Sequence, residues 1–279
     1  MKFFQRDKTW GLKHFPRPSQ VRELHAQILR LNGGNWFGFE PHVAALYRRI
    51  LRAGAVALDG GANLGKHTVQ MAAAVAPGGL VIALEPVPKL RAELERRLAV
   101  QKGSHKRSVR VLPLGLSDHL GESKFFQVTN EAQHELSGLV NRHWLRDYPV
   151  KEILVSLTTI DAVCANLERL DFIKLDIEGA EMDALRGGRK TVARFRSVIA
   201  FEQDQFSPQY FNYTWQDLVD YFDSLEYEVY DLFGCPYPDA SMLSSCAVWD
   251  FVALPKEFRG KLEIFQALRR SMIDAGVRF

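Results

Sequence analysis

The chain has 279 residues, with 47% hydrophobic and 25% charged side chains, which is the balance of an ordinary globular protein and excludes disorder or a collagen-like repeat as a description of the whole. The length suits one large domain or two small ones, and no apolar run approaches the roughly 20 residues of a membrane span. A net charge of +3 on scattered basic residues lacks the clustered stripe of a nucleic-acid binder, so no nucleic-acid partner is expected.

The N-terminal run MKFFQRDKTWGLKHF is basic but leads into no apolar segment, so it is not read as a signal peptide. Cys164, Cys235 and Cys246 are too few and too dispersed for a disulfide scaffold or a zinc site. A reducing, cytoplasmic setting is therefore the expectation.

Residues 1–40 carry no strong period and are punctuated by Pro16, Pro18 and Gly33-Gly34-Asn35. They read as an N-terminal appendage with one short helix over 21–31. Pro41 suits a first helical turn, and Val43, Leu46, Tyr47 and Ile50 recur at helical spacing. A regular alternation follows: strand 55–58, helix 68–75, strand 80–84, helix 88–100 and strand 109–113. Strand 172–175 comes next, then a helix carrying Ala184, Leu185 and Val192, then strand 198–201. Two later strands fall near 228–232 and 247–253. Residues 122–161 interrupt the pattern with two extra strand-like runs, 125–128 and 153–157, and read as an insertion. Residues 256–279 read as a C-terminal helix, leaving 41–255 as the main domain. Short apolar strands alternating with helices predict an α/β fold, a doubly wound and mostly parallel sheet with helices on both faces.

The apolar strands end in polar residues: Asp59-Gly60-Gly61, Glu85, the 115–118 run, Asp176 with Glu178, and Glu202. In an open parallel sheet, ligands bind beyond the carboxyl ends of the strands. An acidic rim there suits hydroxyls, an amine or a positive centre, and repels a polyphosphate. Residues 57–65, ALDGGANLG, run from strand into a glycine turn with the spacing GGxxxG, not GxGxxG. Glycines let the backbone approach a ligand closely. Glu85 lies twenty residues after Gly65, the offset of a ribose-binding carboxylate, which nicotinamide and sulfonium nucleosides both use.

These segments resemble the FkbM family of class I S-adenosylmethionine-dependent methyltransferases. The resemblance covers residues 40–255 and rests on LDGGANLGKHT (58–68), LEP (84–86), LGLSD (114–118), LTTID (157–161), FIKLDIEGAEMDALRG (172–187) and IAFE (199–202). It implies a Rossmann-like seven-stranded sheet, S-adenosyl-L-methionine as cofactor, and O-methylation of a hydroxyl on a sugar, glycan or secondary metabolite. It also implies that Asp59, Gly61, Asn63 and Gly65 line the methionine part of the donor, that Glu85 holds its ribose, and that Ser117 and Asp118 flank its adenine. Gly60, Thr68, Pro86 and Asp176 complete that set.

A hydroxyl acceptor needs its proton removed as it attacks. Asp176 and Glu178, after the fourth core strand, are the first candidates for this base or for orienting the acceptor, and Glu202 is the next. Glu178 and Glu181 also fit the first turn of a helix, where a carboxylate opposes the helix dipole. Paired carboxylates could hold Mg²⁺, but no third acidic ligand lies at neighbouring spacing, so no metal is assigned. Of eight histidines, His67 beside the glycine loop and His134 and His143 in the insertion are worth following. Phe206, Tyr210, Phe211, Tyr213 and Trp215 offer either an acceptor-stacking wall or simple packing. The rival readings are an NAD(P)-dependent Rossmann oxidoreductase, a nucleic-acid methyltransferase and a non-catalytic nucleoside-binding protein. Against the first, GxGxxG is missing and no tyrosine has a lysine four residues later. The partner expected is a small-molecule or carbohydrate acceptor. The assembly state is left open, with a homodimer as one option.

Overall fold

The computed structural model describes residues 16–34, 36–101, 108–130, 134–142, 145, 147–245 and 248–279. Helices α1 (Pro18–Leu31) and α2 (Glu40–Ile50) precede the first strand, each with a proline in its opening turn. Val21, Leu24 and Ile28 of α1 are buried in the same apolar cluster as Val43, Leu46 and Tyr47 of α2 and the faces of the main sheet. Helix α1, within the segment expected to be an appendage, thus packs into the core of the domain.

The alternation then runs β1 (Val56–Gly60), α3 (Lys66–Val75), β2 (Leu80–Leu84), α4 (Pro88–Ala99) and β3 (Val109–Leu112). A second sheet is formed by β4 (Gly115–Leu116), β5 (Gly121–Val128) and β6 (Val150–Thr158). The main sheet resumes through α5 (Ile160–Cys164), β7 (Phe172–Leu175), α6 (Glu181–Gly187), α7 (Arg189–Phe195) and β8 (Val198–Glu202). After it come α8 (Ser207–Tyr210), α9 (Trp215–Ser224), β9 (Tyr227–Asp231), α10 (Ala240–Ser244), β10 (Asp250–Pro255) and α11 (Lys261–Asp274). The single helix expected around Ala184 to Val192 is two, divided at Gly188.

The main sheet has seven strands in the order β3-β2-β1-β7-β8-β10-β9. Five of them, β3, β2, β1, β7 and β8, are mutually parallel, and β10 runs antiparallel to both β8 and β9. This is the Rossmann-like, mostly parallel arrangement that the patterning suggests. Its central strands read as apolar runs, interrupted by Asp59 in β1 and Lys174 in β7, because both faces are covered: every residue of β7 is buried, as are four of the five in β1 and in β2. The chain winds outward from β1 to β3 and then returns to the other side of β1 at β7. That reversal makes a crevice at the carboxyl ends of β1 and β7.

The insertion is the three-stranded sheet β4-β6-β5, with β5 and β6 antiparallel from Gly121↔Leu157 to Val128↔Val150. Val87, Leu90, Phe125, Val155 and Leu157 form a separate apolar cluster that fixes this sheet against the loop after β2. At the other end of the molecule α11 packs on α2, and His42 Nδ1 lies 2.9 Å from Ser271 Oγ across that seam.

Candidate functional site

The crevice opens into a cavity of about 1070 Å³, large enough for a nucleoside cofactor together with an acceptor. Register brings its polar residues together. Asp59 of β1 pairs with Lys174 of β7, and Glu202 of β8 pairs with Asp250 of β10. Paired residues share a sheet face, so acids distant in sequence meet on one floor.

The glycine turn supplies one wall. Gly61 has φ +77° and packs so closely on the β7 end that an added Cβ would lie 1.9 Å from the Asp176 carbonyl oxygen. Its N–H and that of Ala62 donate to Leu84 O at 3.2 and 3.0 Å. Gly65, at φ +82°, starts α3 from the left-handed region with Leu94 against it. Asp59 is fully buried; its Oδ2 accepts from Thr68 Oγ1 at 2.6 Å, and its Oδ1 takes no hydrogen bond among the described residues. Lys174 Nζ lies 3.8 Å from that orphaned oxygen and donates to Asp176 Oδ2 at 2.9 Å.

Glu85, also buried, turns toward the backbone, accepting from Asn63 N at 2.9 Å and Val87 N at 2.8 Å. Burial pushes its carboxyl up to about 7, against the pull of those two N–H groups and of Arg91. Asn63 Oδ1 in turn lies 2.9 Å from His134 Nε2, tying the insertion to the turn.

Beyond β7, Asp176 and Glu202 share a hydrogen bond. Burial raises Glu202 well above the carboxylate range, reinforced by the charges of Asp176 and Glu178, so Glu202 carries the proton and donates it. Burial also works against ionised Asp176, but the Lys174 ammonium and the Glu202 hydrogen bond outweigh it and hold Asp176 at about 2. Glu178 has φ +59° and precedes α6, so it is not in the first turn of that helix as expected; only Glu181 is. The Glu178 carboxylate ion-pairs with buried Arg142, which also stands 3.6 Å from Asp204. Burial, opposed by Arg142, leaves Glu178 at about 7. Glu181 lies behind the cavity, accepting from Ile177 N at 2.8 Å.

Of the residues expected at the site, Asp59, Gly61, Asn63, Glu85, Pro86, Asp176, Glu178 and Glu202 all line this one cavity. Thr68 supports Asp59 from beneath, and Gly60 and Gly65 shape the turn without reaching the lumen. Ser117 and Asp118 are not part of the lining. Ser117 is buried, and Asp118 is exposed beside His119, whose Nδ1 lies 2.6 Å away. The preceding Leu114, Gly115 and Leu116 form the wall in their place, because β4 ends at Leu116 and its pairing with β6 carries the chain away from the crevice. His67 lines the cavity, its Nε2 against the Glu40 carboxylate and its Nδ1 3.2 Å from Tyr47 Oη. His143 lies outside the described residues. The aromatic run divides: Phe206 lines the cavity, while Tyr213 is buried with its hydroxyl donating to Gln203 Oε1 at 2.7 Å.

Among the lining residues that escaped the sequence reading are Glu40, Arg142, Lys174, Trp249 and Asp250. Lys174 carried a signal, being the one charged residue inside an otherwise apolar strand. The others depend on pairings far apart in the chain.

A family model described as the methyltransferase FkbM domain matches residues 59–229. Among curated proteins, the AMB antimetabolite synthetase AmbE of Pseudomonas aeruginosa is 29% identical over 235 residues, covering 71% of this chain and 11% of that protein. The 2-O-methyltransferase NoeI of Sinorhizobium fredii is 27% identical over 164 residues, covering 54% of this chain and 64% of that protein. The chain therefore spans less than two thirds of either relative. Among solved structures, methyltransferase FkbM from Methylobacillus flagellatus aligns with a TM-score of 0.49 and 18% identity, over 88% of this chain and 56% of that one. The match extends from Asp59 near the end of β1 to the middle of β9, across the whole glycine turn and the Asp176, Glu178 and Glu202 carboxylates: the chain belongs to the FkbM methyltransferase family.

Proposed function

We propose that the protein transfers a methyl group from S-adenosyl-L-methionine to a hydroxyl oxygen of a sugar, glycan or secondary metabolite. The observation that carries this reading is Asp59, a buried carboxylate lining a cavity at the strand-order reversal, whose Oδ1 accepts no hydrogen bond among the described residues. A buried acceptor left unpaired is costly, and an ammonium or hydroxyl of a bound ligand would satisfy it. Glu85 fits a ribose, since each of its oxygens accepts one backbone N–H and retains a second acceptor site. The residues present thus fit the donor: Asp59, Gly61 and Asn63 for its amino-acid end, Glu85 and Pro86 for its ribose, Leu114 to Leu116 for its base. When bound, the donor supplies an electrophilic methyl on a cationic sulfur. The acid-rich floor suits that positive charge.

Oxygen transfer is favoured by the name of NoeI, a 2-O-methyltransferase. A small molecule or carbohydrate, in the cytoplasm, is preferred over nucleic acid because the basic residues are scattered. Within this reading the protein mainly aligns two reactants, which supplies about 7–11 kcal/mol when alignment is good. Asp176, Glu178 and Glu202 are then groups that orient the acceptor's hydroxyls.

The test is calorimetric titration with S-adenosylhomocysteine and with NADH, followed by methyl transfer from labelled donor to a panel of methyl hexopyranosides. S-adenosylhomocysteine should bind, and Asp59→Ala should weaken it at least tenfold while leaving the far-UV spectrum intact. Binding of NADH alone would replace this reading with that of an oxidoreductase.

A further inference from the structure

Most acids at the acceptor end of the cavity are already engaged. Asp176 is held by Lys174 and Glu202, Glu178 by Arg142, and Glu40 by His67. Asp204 accepts from Phe206 N, Ser207 N and Ser207 Oγ. Asp250 differs. It lines the cavity, and its carboxylate takes no hydrogen bond or ion pair among the described residues. Its position is set by the register of β10 against β8, directly opposite Glu202. It stands three strands from Asp59 in the sheet order, about 14 Å at the usual strand spacing, in the half of the cavity away from the glycine turn. Its surroundings there are Phe39, Val43, Leu232, Trp249 and Phe251, an apolar wall in which the Phe39 and Trp249 rings meet edge-on at 6.0 Å.

We propose that Asp250 is the general base of the methyl transfer, an inference that rests on the function proposed above. As the acceptor oxygen bonds to the donor's methyl carbon, the carbon–sulfur bond breaks and its electron pair stays on sulfur, leaving S-adenosylhomocysteine. The hydroxyl proton passes to an Asp250 carboxylate oxygen and later to solvent. The charged groups facing Asp250 are Glu202 on β8, Asp176 after β7, Lys174 within β7 and Glu40 on α2. Burial, with the negative charges of Asp176 and Glu40 and against Lys174, raises its carboxyl to about 7. A base works best with a proton affinity near the operating pH, whereas Asp176 at about 2 is too weak and protonated Glu202 is not available.

The experiment uses protein carrying carboxyl-13C aspartate, with the Asp250 signal assigned by its loss in Asp250→Asn. In the complex with S-adenosylhomocysteine the signal should titrate near neutrality. Asp250→Asn should bind S-adenosylhomocysteine within twofold of the wild type, yet lose at least a hundredfold in kcat on the best methyl hexopyranoside, with Asp250→Glu recovering part of it. A titration in the ordinary carboxylate range near 4 overturns the assignment. So does a tenfold loss of S-adenosylhomocysteine affinity in Asp250→Asn, which would make Asp250 a donor ligand, and so does turnover within threefold of the wild type. If the wild type binds no S-adenosylhomocysteine, the proposed function itself falls, and the role of Asp250 with it.

Discussion

Gly61 joins two demands at one residue, a left-handed backbone and contact with the end of β7, and the two can be separated. Gly54 has a similar φ of +81° with nothing within 4 Å of an added Cβ. Gly54→Ala should therefore cost only the conformational strain, about 1–2 kcal/mol. Gly61→Ala adds a Cβ 1.9 Å from the Asp176 carbonyl oxygen, an overpacking term of roughly another 1–3 kcal/mol. Thermal melts of both variants should show the larger loss in Gly61→Ala, and only that variant should lose S-adenosylhomocysteine binding. Equal melts would mean that the β7 end yields freely. Glu85 makes a second prediction at this scale. Its carboxyl, raised by burial to about 7, accepts ribose hydroxyls more strongly once ionised. Donor-product affinity should rise from about pH 6 to pH 8 in the wild type, and calorimetry should find that rise flattened in Glu85→Gln.

Arg142 acts between elements. It sits in the connection from β5 to β6 and is almost wholly buried, with its guanidinium on Glu178 at the end of β7 and on Leu136 O at 3.1 Å. It thereby pins the inserted sheet over the carboxylate floor. Removing one partner of a buried ion pair costs about 3–5 kcal/mol, and the low end applies because Glu178 keeps some solvent contact. Arg142→Met should destabilise by about 3 kcal/mol on that basis, and the added Glu178→Gln should return part of the loss, a coupling that a double-mutant cycle in urea would read. Strict additivity would show that the pair holds nothing together. This pin also marks the limit of sequence reading. A strand such as Leu80–Leu84 announces itself because burial on both faces writes a continuous apolar run, and Phe172–Leu175 does so despite Lys174. The acids at their ends are legible because a carboxylate at the close of an apolar run stands out in the sequence. Arg142 and Asp250 are not legible, since each owes its place to a partner element far off in the chain. Asp118 falls outside the lining for the opposite reason: two residues past the wall formed by Leu116, the chain already faces solvent.

Among the described residues, buried acids outnumber the cations that could neutralise them, and this sets the pH dependence of folding. Burial raises Glu85, Glu178, Asp231 and Asp250 to about 7 and Glu181 to about 8. Between the ordinary carboxylate range near 4 and these values the folded protein holds more protons than the unfolded chain. Stability must fall as pH rises through that window. The contribution of these groups is complete below about pH 4 and is lost as each ionises near 7 to 8. Asp176, held at about 2 by Lys174 despite its burial, has the opposite sign: its contribution is present above pH 4 and disappears toward pH 2. The ligand-free protein should therefore melt higher at about pH 5.5 than at about pH 8.5. Glu181 isolates one share of that slope. Its Oε1 accepts from Ile177 N at 2.8 Å while its buried Oε2 has no hydrogen bond among the described residues. Glu181→Gln keeps the acceptor and removes the charge, so its melting temperature should fall less between the two pH values. Differential scanning calorimetry of both proteins decides the point, and a wild-type melting temperature that is level or rising with pH would show that these carboxyls find water or counter-charge in the folded state.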